Sequence, residues 1–197
     1  MRIQHSGAAL LATLLFSGAA LAQSNVEADT QRNINQQERI EQGLKSGQLS
    51  TREAGQLERQ EQHIDKMEAR DLRNGSISPA EQQRLNAAQN RASRDIAADK
   101  HNAVVGNPDS ASSQRLQADV QRNVNQQQRI ENGERSGALT ARETGRLEAG
   151  QAHVERREAH AAADGHVSAR EQARIQRSEN RQSRRIGHKK HNARGHG

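Results

Sequence analysis

Cysteine, tryptophan and tyrosine are absent from the 197 residues, and Phe16 is the one phenylalanine. Without cysteine there can be no disulfide, no thiolate metal ligand and no thiol nucleophile. With Phe16 the one Phe, Trp or Tyr, and that one within the first 22 residues, there is no platform to stack a nucleic-acid base, so nucleic acid is not an expected partner. Proline occurs only at Pro79 and Pro108, which leaves long stretches free to be helical. Large aliphatic residues are also sparse, and mean hydropathy is −1.10, so the core is expected to be marginal. No stretch alternates with period two, which excludes a sheet. Catalytic signatures are missing as well: there is no HExxH pair, no G-x-S-x-G elbow and no glycine-rich phosphate loop. With Glu and Arg read as scattered at surface spacings, an enzyme is not expected.

The longest apolar run sits at the start, from Ala8 to Phe16, behind Arg2 and ahead of Ala20-Leu21-Ala22. That order predicts a signal peptide over residues 1–22 with Gln23 as the first mature residue. The run is shorter than the ~20 residues a spanning helix needs, and no later run is longer. No cysteine follows the cleavage position to carry a lipid. The expected protein is therefore exported, most simply to a bacterial periplasm, and does not span a membrane.

One short grammar recurs four times, as Ser46-Gly47-Gln48-Leu49-Ser50-Thr51-Arg52-Glu53, Asn74-Gly75-Ser76-Ile77-Ser78-Pro79-Ala80-Glu81, Ser136-Gly137-Ala138-Leu139-Thr140-Ala141-Arg142-Glu143 and Asp164-Gly165-His166-Val167-Ser168-Ala169-Arg170-Glu171. Each copy reads as a helix ending on a left-handed glycine, then a Ser or Thr N-cap with Glu at the third helical position. Pro79 fits the first helical position, which needs no backbone N–H.

Residues 29–103 align without a gap on 119–193, a repeat of period 90. The expected architecture is all-α: two tandem three-helix hairpin units, 29–103 and 119–193, joined by a linker and helix start over 104–118 and closed by a tail at 194–197. In the first unit the helices are expected over Thr30–Leu44, Thr51–Arg73 and Pro79–Lys100. Asp109 or Ser112 is expected to cap the helix after the linker. Folding back at Gly75 brings Met67 to Leu85 and Ile64 to Ala88, so the second and third helices read as an antiparallel hairpin. The amide-rich faces, Gln36-Gln37-Glu38-Arg39 and Gln126-Gln127-Gln128-Arg129, read as solvated. No strong heptad run of Leu or Ile marks a coiled coil, although self-association is compatible with such helices.

Candidate binding residues fall in three sets. Glycine, an aliphatic two residues on and Glu six residues on also match the second half of an EF-hand loop, which makes Asp164, Glu171, Glu134 and Glu143 the candidate calcium ligands. The first halves of these loops supply too few oxygens, so capping is favoured over calcium. His188 and His191, three apart, with His196 nearby, could share Cu, Zn or Ni. Residues 170–197 carry nine basic and two acidic side chains. Arg174, Arg177, Arg181, Arg184, Arg185, Lys189 and Lys190 form a basic stripe suited to an acidic protein or an envelope polyanion.

The signal peptide, the run Arg39-Ile40-Glu41-x-Gly43-x-x-Ser46-Gly47-x-Leu49 with Glu53 and Leu57, and the closing Lys100-His101-Asn102 resemble a group of uncharacterised exported proteobacterial helical repeat proteins with degenerate EF-hand-like turns. That resemblance implies export and helix. Leu49-Ser50-x-x-Glu53 and Leu139-Thr140-x-x-Glu143 are similar to the LTxxQ motif of the periplasmic Spy and CpxP group, with Glu in place of Gln. The expected function is a non-enzymatic periplasmic binding protein for a metal cation or an anionic envelope component. The alternatives are an ATP-independent chaperone or stress protein of the Spy and CpxP kind, and calcium binding through the turns.

Overall fold

All four turn glycines are left-handed, with φ of 74° at Gly47, 98° at Gly75, 70° at Gly137 and 87° at Gly165. Each is followed by a complete capping box: Ser50 with Glu53, Ser78 with Glu81, Thr140 with Glu143 and Ser168 with Glu171. Local chemistry thus fixes where the helices break, as the sequence predicts. These relationships come from a computed structural model that describes residues 17–192. Residues 1–16 of the expected signal peptide, the tail 194–197 and His196 lie outside the described residues.

The helices are α1 (Ser17–Ser46), α2 (Thr51–Asp71), α3 (Pro79–Lys100), α4 (Ala111–Arg135), α5 (Ala141–Ala161) and α6 (Ala169–Lys190), with a 3₁₀ turn Leu72–Asn74 after α2. Among the described residues there is no strand, and no helix is long and apolar enough to cross a membrane. The cap of α4 is Ser110, whose hydroxyl accepts from the Ser113 amide at 3.1 Å, rather than Asp109 or Ser112. Asp109 is instead held in the preceding turn, its amide donating to the Asn107 side chain at 3.1 Å.

The expected α2–α3 hairpin is present, with Ile64, Leu85 and Ala92 forming one small apolar cluster against Met67 and Ala88. The most extensive packing, however, lies between the repeats: α2 on α5 and α1 on α4. The main apolar cluster draws Ile40, Leu57 and Ile96 from the first repeat and Val120, Val154 and Ile175 from the second. Four helices therefore make a shared central bundle, flanked by α3 on one side and α6 on the other.

The interface maps onto itself when the repeats are exchanged. Arg52 donates to the Asp164 carbonyl at 3.3 Å, and Arg142, ninety residues on, donates to that of Asn74 at 3.1 Å. Gly55 lies against Ala162 and Gly145 against Leu72, where an added Cβ would come within 2.5 and 2.8 Å. Those glycines let the ends of α2 and α5 approach closely. The contact is an isologous one, of the kind seen in two-fold dimers, built inside one chain.

Candidate functional site

The seam of this bundle has a heptad pattern with unusual contents. On α2 the buried positions at alternating spacings of four and three are Ala54, Glu58, Glu61, Asp65 and Glu68, continued by Leu72 just past its end; on α5 they are Thr144, Glu148, Gln151, Glu155 and Glu158, continued by Ala162. Those are the positions that leucine and isoleucine fill in a coiled coil. On α1 the same spacing runs Val26, Thr30, Asn33, Gln37, Ile40 and Leu44, and on α4 Leu116, Val120, Asn123, Gln127, Ile130 and Glu134, with amides at the middle of each. The bundle is thus apolar at its ends and carboxylate-rich at its centre.

This overturns two sequence expectations. Gln36, Gln37, Gln126 and Gln127 are buried rather than solvated, and Glu58, Glu61, Glu68, Glu148, Glu155 and Glu158 are core residues rather than surface ones. Gln36 and Gln126 are buried within their own units, donating to the Gln89 carbonyl at 2.7 Å and the Glu179 carbonyl at 3.1 Å, whereas the carboxylates and Gln37 are covered by the other repeat. The pattern that could have found it is the acidic stripe at Glu58, Glu61, Asp65 and Glu68, which has no Lys or Arg on the same face and recurs on α5.

The carboxylates are held by amide donors. Asn33 Nδ2 donates to Asp65 Oδ1 at 3.3 Å and to Glu68 Oε2 at 3.1 Å. Gln127 Nε2 donates to Glu148 Oε2 at 3.0 Å. Gln37 Nε2 spans the repeats, donating to Glu58 at 3.0 Å and to Glu155 at 3.3 Å. Asn123 Nδ2 donates to Glu158 at 2.8 Å. Among the described residues none of these six carboxylates forms an ion pair.

Asp65, Glu68 and Glu148 each present an oxygen within 4.8 Å of the other two. Asp65 Oδ2, Glu68 Oε1 and Glu148 Oε1 receive no hydrogen bond from a described donor. Three anions that close, without a cation, are unstable in a low-dielectric interior, so protons or a metal ion must balance them. Burial, opposed by the Gln127 hydrogen bond and reinforced by Glu134, pushes Glu148 up to about 8. Burial pushes Glu58 up to about 7, and burial with neighbouring carboxylates carries Asp65, Glu68, Glu155 and Glu158 well above the ordinary range. The donor set is all oxygen, which suits hard cations such as Ca²⁺, Mg²⁺ or Mn²⁺.

The sequence candidates lie elsewhere. His188 and His191 are exposed at the end of α6, and His191 Nδ1 meets the Gly187 carbonyl at 2.7 Å. Among the described residues the one group of three or more potential metal ligands is the Asp65 trio, so the histidines gain no third ligand there. Of the calcium candidates, Glu143 and Glu171 turn back as caps, accepting from the Thr140 amide at 3.3 Å and the Ser168 amide at 2.9 Å. Asp164 accepts from the His166 amide at 2.8 Å. Glu134 is buried at the end of α4, where its side chain accepts from Thr30 at 3.2 Å and its carbonyl from the Gly137 amide at 3.0 Å.

The basic stripe is exposed along α6 and faces a second basic wall on α5. Arg146 lies opposite Arg181, Arg184 and Arg185 across a groove of about 540 Å³ that also takes in His188 and Lys189. Farther along, Arg156, Arg157 and His160 face Arg174 across a groove of about 450 Å³. Arg177 and Lys190 continue the stripe. Burial, with Arg157 and Arg156 beside it, lowers the pKa of His153 between the two walls. Among the described residues the large apolar side chains that stand exposed are Val104 and Val105 in the linker. No family model, curated protein or solved structure matches the chain.

Proposed function

We propose that the protein binds a hard metal cation in the carboxylate centre of its bundle, with Asp65, Glu68 and Glu148 as ligands and Asn33 and Gln127 orienting them. The observation that carries this reading is three buried carboxylate oxygens within 4.8 Å, with no ion pair to a basic side chain among the described residues. A cation bound there would tie α2 to α5 and so join the two repeats. The ligand differs in class from the transition metals expected at His188 and His191, because carboxylate oxygen favours harder ions. The binding is non-catalytic in this proposal, and export would bring the protein to its cation outside the cytoplasm. The test is a melting-temperature rise on adding Tb³⁺, a luminescent hard cation, to EDTA-stripped protein, and its loss in a Glu68→Gln/Glu148→Gln variant.

A second reading rests on the α5–α6 face, which fits a linear polyanion better than a flat surface because both groove walls are basic. A comparison between repeats favours it. Arg185 and Lys189 stand where the first repeat has Asp95 and Asp99, and Arg146, Arg177 and His188 stand where it has Gln56, Ala87 and Ala98. The α6 flank is thus the more basic of the two, although the α3 flank has a groove of its own lined by Arg59, His63, Arg84 and Arg91, and the denser charge of the second suits phosphate or carboxylate polymers better. Binding to long-chain polyphosphate, measured against salt concentration, tests this reading.

A further inference from the structure

We infer that the core takes two cations rather than one, at sites related by exchange of the repeats. The inference rests on the cation-binding proposal above. Adding or subtracting 90 carries Asp65 to Glu155, Glu68 to Glu158, Glu148 to Glu58 and Asn33 to Asn123. The counterpart of each ligand is therefore a carboxylate, and the counterpart of the orienting amide is an amide.

The second set is likewise held by buried amides, but its oxygens do not draw together within 4.8 Å as those of Asp65, Glu68 and Glu148 do. Gln37 holds Glu58 and Glu155 with one amide nitrogen, at 3.0 and 3.3 Å. Asn123 holds Glu158 at 2.8 Å, while its own Oδ1 receives no hydrogen bond from a described donor. Glu58 and Glu158 meet carboxyl to carboxyl. That contact needs a shared proton or a shared cation.

A further side chain points to a ligand here. Glu61 is 1% exposed, and neither of its oxygens receives a hydrogen bond from a described donor. It lies one turn from Glu58 on the seam and interacts with Glu58 and Glu155. Its counterpart is Gln151, fully buried and likewise without a hydrogen bond on either side-chain atom. The second site thus offers four carboxylates where the first offers three and an amide. From the middle of Glu58–Glu61 to that of Asp65–Glu68 is seven residues of helix, so the two ions lie about 10 Å apart.

The experiment counts Tb³⁺ bound per chain by equilibrium dialysis of the EDTA-stripped protein at pH 7.5. Luminescence decay in H₂O and D₂O reports the waters left on each ion. Excitation is direct, since no Tyr or Trp is present to sensitise it. Two slowly decaying, largely dehydrated ions are expected. Glu58→Gln/Glu158→Gln and Glu68→Gln/Glu148→Gln should each retain one.

A wild type that binds one such ion, lost in Glu68→Gln/Glu148→Gln and kept in Glu58→Gln/Glu158→Gln, overturns the pair and leaves the single-cation proposal standing. No dehydrated ion at all overturns both. Ions that stay fully hydrated and survive all four substitutions are surface-bound, and also overturn both. A readout independent of any variant is energy transfer from Tb³⁺ to Eu³⁺ in protein loaded with an equal mixture. Two ions about 10 Å apart shorten the Tb³⁺ decay. An unchanged decay at full loading contradicts the pair.

Discussion

Gln37, on the first helix of the first repeat, donates its amide to Glu155 of the second repeat at 3.3 Å. That bond crosses the centre of the bundle, where an ordinary heptad seam would pack leucine against leucine. The two repeats are joined there through amides and carboxyls whose charge must be balanced. The stability of the fold is thereby linked to protons and cations, and the linkage sets the predictions below.

The cation-free protein should lose stability as pH rises from 5 to 8.5. Burial carries Glu58 to about 7, Glu148 to about 8 and, with Glu179 beside it, Asp119 to about 8. The folded state keeps protons that the unfolded chain releases. Each contribution is therefore whole below the ordinary carboxyl pKa and is lost as pH passes the raised one. One carboxyl carried from 4.5 to about 7 is worth on the order of 3 kcal/mol, at about 1.4 kcal/mol per pH unit. That corresponds to roughly 6 to 12 °C in a chain of this size. Thermal melts in EDTA at pH 5, 7 and 8.5 measure it, and a melting temperature that climbs with pH would refute the linkage.

Replacing a single core carboxylate by its amide should stabilise the stripped protein at high pH. In Glu148→Gln the side chain keeps its shape, and one anion near Asp65 and Glu68 disappears. The expected result is a higher melting temperature at pH 8.5, little change at pH 5 and a flatter pH profile. An ordinary buried hydrogen-bonding glutamate would instead give a loss at both pH values.

The same residues show which parts of the molecule were legible in sequence. The four turns between helices were, because each rests on a few local atoms: left-handed Gly47, Gly75, Gly137 and Gly165, and four capping boxes; the start of α1, expected at Thr30 and found at Ser17, and the α4 cap at Ser110 were not. The α2–α3 hairpin was, because Ile64, Met67, Leu85 and Ala88 show an apolar stripe. The core seam was not, because Glu58, Glu61, Asp65 and Glu68 carry the residue types of a surface. Only their heptad spacing, its recurrence on α5 and the lack of basic partners separate them from a solvated face. Burial there comes from α5, more than 80 residues away, and no local pattern encodes it. The α6 stripe was legible as charge, while its second wall at Arg146, Arg156 and Arg157 required the α5–α6 packing.

The close approach of α2 and α5 gives a prediction independent of charge. An added Cβ at Gly55 would lie 2.5 Å from that of Ala162, so Gly55→Ala should cost about 1 to 3 kcal/mol by overpacking. Adding Ala162→Gly removes the opposing methyl and should recover part of the loss. A thermodynamic cycle over the two single variants and the double variant measures the coupling. Strict additivity would mean that the two helices do not meet at this point.

The basic groove is tested on its own terms. Arg181→Ala/Arg185→Ala should weaken polyphosphate binding and reduce the slope of log affinity against log salt by roughly two, one for each phosphate contact removed. Arg91→Ala/Arg94→Ala on the α3 flank should change neither. Equal effects from both flanks would mean diffuse attraction to a basic protein and no groove.

The most direct test of the cation-binding account is the melting temperature of EDTA-stripped protein at pH 7.5, before and after Tb³⁺ is added to one hundred times its dissociation constant. Binding to the folded state alone contributes about 2.7 kcal/mol per site at that concentration. A rise of at least roughly 5 to 10 °C is expected. The variant carrying Glu58→Gln, Glu68→Gln, Glu148→Gln and Glu158→Gln should show no rise. A wild type indifferent to the ion, or a variant that responds as the wild type does, would contradict a cation site between α2 and α5.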